Sequence, residues 1–186
     1  MTARGAIRLS GGSLRGRSVA VPAGVRPTAG KVREALFDMI GPPIVGSRFL
    51  DLFAGSGAVG LEALSRGAGC VLQVDGEQAV VRGLRRLHAT LVLEGIEVRR
   101  LLLPAGLERL AAAGGFDWLF ADPPYAFDGY GELVAGLSGL LAPHGVGIIE
   151  HDARRILPES AAGVERYDRR SYGESALSFF RLVTPG

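Results

Sequence analysis

Asp122, Pro123, Pro124 and Tyr125 close the apolar run FDWLFA. Proline gives nothing to a strand ladder and keeps the preceding residue extended, so an acid and a carbonyl leave this strand on a stiff support. Two rigid acceptors side by side suit the exocyclic amine of a nucleobase, which has two N–H hydrogens to give. Such an amine is a poor nucleophile because its lone pair is delocalised into the ring. Acceptors that hold both hydrogens help turn the lone pair outward, and their fixed positions are where the rate would come from. Tyr125 offers a face on which the ring can stack. Alone, Asp-Pro-Pro is an ordinary turn, so the weight of this reading rests on what precedes it.

What precedes it is DLFAGSGAVG, residues 51–60, with Gly55, Gly57 and Gly60 in the G-x-G-x-x-G spacing. A strand pattern leads in and a helical pattern leads out. Missing side chains let the backbone turn tightly and approach a ligand, and the free N–H groups of the opening helix lie beneath it. Asp75 ends the next strand pattern, 15 residues past Gly60, where it can accept hydrogen bonds from ribose hydroxyls. A dinucleotide and S-adenosylmethionine compete for such a site. A dinucleotide needs a seat for its pyrophosphate, whereas S-adenosylmethionine carries an ammonium group that the Asp51 carboxylate can receive directly or through water. The acid therefore favours S-adenosylmethionine.

The elements that must position these groups alternate along the chain. TAGKVREALFDMI has Val32, Leu36, Phe37 and Ile40 at helical spacing, with Thr28 as its N-cap. Strand and helix patterns then follow in turn: SRFLDLF, SGAVGLEALSRG, CVLQVD, EQAVVRGLRRLHATLVLE, VRRLLL, PAGLERLAAA, FDWLFAD, GELVAGLSGLLA and GVGIIEH. In the long third helix Val80, Leu84, Leu87 and Leu91 are expected inward and Arg82, Arg85 and Arg86 outward. This rhythm predicts βαβ units in a mostly parallel sheet, an α/β fold. GVERYDRRSYG and SALSFFRLV predict a final antiparallel hairpin turning near Gly173-Glu174. On this topology Asp122 comes to the same sheet edge as Gly55 and Asp75.

Length and composition set the outer bounds. With 186 residues, 47% of them apolar, the chain suits one domain with a small appendage. Its apolar runs fall far short of the ~20 residues of a membrane helix, and no secretory leader is legible. Cys70 is the sole cysteine, and no cluster has metal-ligand spacing, so a reduced compartment and no metal are expected. The net charge of +2 conceals a segregation, because residues 1–33 carry +7 with no acid, leaving the rest at −5. IRLSGGSLRGRSVAVP reads as a basic β-hairpin within an extension over residues 1–26, ahead of the main domain at 27–186. Such an arm suits a polyanion.

GGSLRGR, RPTAGKVREALF, DLFAGSGAVGLEALSRGA, Asp-Pro-Pro-Tyr and SYGES together resemble the bacterial 16S rRNA guanine-N2 methyltransferase family, the guanine-966 type of small-subunit rRNA methyltransferase D. The resemblance covers nearly the whole chain. It implies a Rossmann-like class I fold with a seven-stranded sheet, S-adenosylmethionine as donor, and one guanine N2 of 16S rRNA as acceptor, presented in the assembled or assembling small ribosomal subunit. A cytoplasmic monomer is expected. By position, Asp51, Phe53, Ala54, Gly55 and Gly57 would line the methionine end, Asp75 and Gly76 the ribose, and Asp122 to Tyr125 the guanine. Arg8, Arg15, Arg17, Arg26, Thr28 and Arg33 would face the RNA. Asp75 stands where relatives often have Glu, and Pro104 where they commonly have Asp or Asn near the adenine amine, so adenine would have to use backbone groups.

Other readings predict different outcomes. An adenine-N6 methyltransferase also uses Asp-Pro-Pro-Tyr, but the chain leaves no room for a domain that reads DNA sequence. An NAD-linked oxidoreductase has only the glycine spacing in its favour and lacks an obvious catalytic acid. A non-catalytic RNA-binding assembly factor would have no need of Asp122. The histidines are expected to be structural or solvated, and Arg166, Arg169 and Arg170 to form a solvated face.

Overall fold

The computed structural model describes residues 6–20 and 30–183, so Arg26 and Thr28 lie outside the described residues. The chain is α/β, with a mostly parallel central sheet and antiparallel strands at its C-terminal end. It divides into two compact units, residues 1–100 and 101–186.

The first unit opens with β1 (Ala6–Arg8) and β2 (Ser18–Ala20), an antiparallel pair in the register Arg8↔Ser18. Helix α1 (Gly30–Ile40) buries Val32, Leu36, Phe37 and Ile40, the stripe expected from its spacing, together with Arg33. Then come β3 (Arg48–Leu52), α2 (Ala58–Ser65), β4 (Cys70–Asp75), α3 (Gln78–Leu91) and β5 (Ile96–Arg100). β4 lies between β3 and β5, and both pairings are parallel. In α3 the buried residues are Val80, Val81, Leu84 and His88. Leu87 and Leu91, expected inward, are only half-buried. The helix ends at Leu91 because Val92 takes a left-handed conformation with φ 51°.

The hairpin is fastened to this unit rather than trailing from it. Leu9 and Val19 pack with Leu61 of α2, flanked by Leu14, Leu87, Leu93 and Ile96. The boundary expected at residue 26 falls outside the described residues, and the hairpin belongs to the same compact unit as β3 to β5.

The second unit contains β6 (Phe116–Ala121), α4 (Tyr130–Gly136), β7 (Leu141–Asp152), β8 (Ser160–Ala161), β9 (Val164–Tyr172) and β10 (Ser175–Leu182). β6 and β7 are parallel; β10 runs antiparallel to β7, β9 to β10, and β8 to β9. The terminal hairpin turns at Gly173-Glu174 as expected. The two-residue β8 is an edge addition to the strands anticipated from the sequence, too short to carry a pattern. PAGLERLAAA forms a 3-10 turn over Leu107–Ala113 rather than an α-helix. Among the described residues no helix is long and apolar enough to cross a membrane.

Candidate active site

Two buried acids staple the glycine loop of the first unit. Asp51, 2% exposed, accepts hydrogen bonds through Oδ2 from the Gly60 N–H at 3.0 Å and from Gln73 Nε2 at 2.9 Å. Gly60 lies in the first turn of α2, where N–H groups have no partner within the helix, so the carboxylate satisfies one of them and complements the helix dipole. Gln73 is the lateral partner of Asp51 across β3 and β4, and its Nε2 also donates to the Gly57 carbonyl at 3.1 Å. Asp51 thus shapes the glycine loop from within.

Asp75 holds the other end. Its Oδ2 accepts the Gly55 N–H at 3.0 Å and its Oδ1 the Glu77 N–H at 2.8 Å. A carboxylate has about four lone-pair directions, so ribose hydroxyls can share it with these amides. Gly76 follows directly, its carbonyl accepting from Arg100 Nε at 3.0 Å.

The glycines are needed for packing. A Cβ on Gly60 would lie 2.5 Å from Gln73 Nε2, and one on Gly57 2.5 Å from Leu84 Cδ2. Gly57 also has φ 77°, and Phe53, at the strand exit, has φ 58°. A non-glycine residue held in that left-handed region is strained, and such strain clusters at ligand sites. Sequence reasoning missed Gln73. Its signal was a lone amide inside the apolar strand CVLQVD, two residues before Asp75.

The hairpin of the first unit exposes Arg8, Arg15 and Arg17. Arg33 is not among these surface residues. It is 4% exposed, donates from Nη2 to the Arg8 carbonyl at 2.9 Å and lies 3.7 Å from Glu62. Its expected contact with RNA is therefore corrected, because a guanidinium buried against an acid anchors the hairpin and does not face a polyanion. Glu62, fully buried, also receives Ser10 and Arg66. Burial alone would raise its pKa. The Ser10 backbone and hydroxyl bonds, the Arg66 bond and the Arg66 charge outweigh burial and hold it below 4.5.

In the second unit, Asp122 leaves β6 half-buried, Pro123 is buried, and Pro124 and Tyr125 face outward. Tyr125 is 68% exposed, and the turn closes through the Phe127 N–H on the Pro124 carbonyl at 2.8 Å. Phe127 meets Tyr130 edge to face at 5.1 Å, and the Arg155 guanidinium lies 4.9 Å over the Tyr130 ring. Pro104 borders this turn, since a Cβ on Gly129 would be 2.8 Å from its Cγ. This proline thus packs beside Gly129, close to the Phe127 ring.

His151 Nδ1 bonds the Asp152 carbonyl at 2.9 Å, so its Nε2 accepts from the Ser178 hydroxyl at 2.8 Å, and burial lowers its pKa. His88 is buried and lowered for the same reason. Arg166 pairs with Glu159, and Arg170 with Asp168.

The α/β architecture, with its mostly parallel sheet and antiparallel C-terminal strands, is a Rossmann-like fold of the methyltransferase class. Within it, the chain belongs to the family described as conserved hypothetical protein 95, the match running over residues 7–181. It is 34% identical to Ribosomal RNA small subunit methyltransferase D of Escherichia coli K12 over 98% of this chain and 93% of that protein. The solved structure of yhhF from Escherichia coli superposes with a TM-score of 0.83 at 35% identity, covering 96% of this chain and 98% of that one. A structure of a hypothetical protein from Thermus thermophilus does so with a TM-score of 0.80 at 36% identity, covering 95% and 99%. The resemblance drawn from the motifs is borne out at the level of this family.

Proposed function

We propose that this chain transfers a methyl group from S-adenosylmethionine to the exocyclic N2 of one guanine in small-subunit rRNA, within an assembled or assembling subunit. The observation that carries the reading is the exit of β6. Asp122 stands on two prolines, with Tyr125 open to a stacking base. The relative named above supplies the substrate class.

The cradle in the first unit fits the donor. It offers a glycine-rich loop, two acids that hold that loop in shape, and spare acceptor capacity at Asp75 for a ribose. S-adenosylmethionine would supply an electrophilic methyl group on a positively charged sulfur. Asp122 and the Pro123 carbonyl accept the two N2 hydrogens and aim the lone pair. Tyr125 stacks on the base, which favours its extrusion from the RNA by roughly 1–3 kcal/mol. As N2 takes the methyl group it sheds a proton, and the Asp122 carboxylate, already bonded to that hydrogen, is the acceptor in reach. Arg8, Arg15 and Arg17 meet phosphates, which position the RNA but carry no base identity. Selectivity must then come from the shape of a folded particle.

The test is methyl transfer from labelled S-adenosylmethionine to small subunits lacking the mark, with naked rRNA and duplex DNA alongside, and mass-spectrometric mapping of the product. N2-methylguanine at one site in the subunit is the expected result. N6-methyladenine would replace this reading with the adenine one.

A further inference from the structure

Glu150 is a buried acid that the scheme above does not use. It is 7% exposed, near the carboxyl end of β7. The last parallel pair between β6 and β7 is Ala121↔Ile149, so the next residues along the chain are Asp122, just past the end of β6, and Glu150 of β7. Laterally paired side chains leave a sheet on the same face, and neighbouring strands run about 4.8 Å apart. On its other side Glu150 pairs with Leu177 of β10, which is fully buried. Its neighbour His151 is already engaged with Ser178 and the Asp152 carbonyl. Beside the turn that would hold the base there is thus a second carboxylate, set between that turn and an apolar strand.

We infer that Glu150 selects guanine over adenine by accepting the N1–H of the target base while Asp122 and the Pro123 carbonyl hold its N2. The inference rests on the guanine-N2 reading and supplies what that reading lacks. An Asp-Pro-Pro-Tyr turn grips any exocyclic amine next to a ring nitrogen, so it grips guanine N2 and adenine N6 alike. The two bases differ at the adjoining N1, which is a donor in guanine and an acceptor in adenine. An ionised carboxylate only accepts. Toward guanine it makes a charge-assisted hydrogen bond. Toward adenine it opposes one lone pair with another, where little water is present to intervene. Sites built to bond a donor reject analogues that lack it by as much as about 10⁴-fold, and a group that repels the wrong partner adds to that margin.

The test compares guanine with 2-aminopurine at the mapped position of reconstituted small subunits. 2-Aminopurine keeps the N2 amine but has no N1–H. The wild-type chain should prefer guanine in kcat/KM by about 10²-fold, the worth of one hydrogen bond to a charged group. Glu150→Leu keeps the volume beside Leu177 and removes the acceptor. It should lower kcat/KM on guanine by about 10²-fold while leaving 2-aminopurine within about threefold. Glu150→Gln, whose carbonyl still accepts without charge, should fall between. Thermal melting and S-adenosylmethionine titration accompany each variant. Equal losses on both bases, or no loss on either, would overturn the inference. So would a wild-type chain that used 2-aminopurine as well as guanine, a result that stands even if neither variant folds. A wild-type product other than N2-methylguanine would instead bring down the guanine reading itself, and the inference with it.

Discussion

Ser10 donates both its backbone N–H and its hydroxyl to the Glu62 carboxylate, at 2.9 and 2.7 Å, across 52 residues of chain. Ser13 N–H meets the Ser65 carbonyl at 2.7 Å and Leu14 N–H the Ser65 hydroxyl at 2.8 Å. The loop that displays Arg15 and Arg17 is therefore bolted to α2, the helix whose first turn closes the glycine loop. Replacing Glu62 by Ala should cost about 3–5 kcal/mol, because it leaves the buried Arg33 without its charge partner. A urea titration should show the midpoint falling with little change in slope.

The same acid predicts a pH dependence. Its pKa is depressed in the fold, so the stability it contributes is present above the ordinary value of 4.5 and is lost as pH falls through the lower folded value. Hydrogen exchange at Ser10, Ser13 and Leu14 should accelerate as pH drops below 4.5, beyond the intrinsic trend. A Glu62→Gln variant should lose that dependence.

Gly57→Ala places a methyl group 2.5 Å from Leu84 Cδ2 at a residue with φ 77°. The backbone conformation alone costs about 1–2 kcal/mol for an L-residue. Relief requires the loop or α3 to move, so affinity for S-adenosylmethionine should fall at least about tenfold. Calorimetric titration measures it.

The division between what the sequence disclosed and what it hid follows from physics. Period and punctuation marked β3, α2, β4 and the terminal hairpin, because apolar spacing and glycine stops are local. Asp51 and Asp75 were legible as carboxylates at strand ends, but their observed partners, Gln73, Gly60 and Gly55, depend on how separate elements meet. Arg33 was misread for a related reason. The resemblance set it toward RNA, whereas its acid, Glu62, lies on another element and draws it inward. Glu150 closed an ordinary apolar strand, and only the pairing of β6 with β7 sets it beside Asp122.

The exposed arginines give a prediction independent of the chemistry. Arg15→Ala with Arg17→Ala should weaken binding to small subunits and lower the salt dependence by about one unit of slope for each phosphate contact removed. Cofactor affinity should not change. Filter binding across a salt series separates this from misfolding, since a solvated face would leave the slope intact.

On the proposed mechanism Asp122 acts on the amine and not on the fold or the donor. Single-turnover methyl transfer by Asp122→Ala, set beside its S-adenosylmethionine affinity, tests it most directly. Turnover should fall by about 10²–10³-fold or more, the effect of removing one preorganised charged acceptor, while the cofactor Kd stays within about threefold. Methyl transfer at the wild-type rate, or a loss of cofactor binding that matches the loss of turnover, would rule out that role for Asp122.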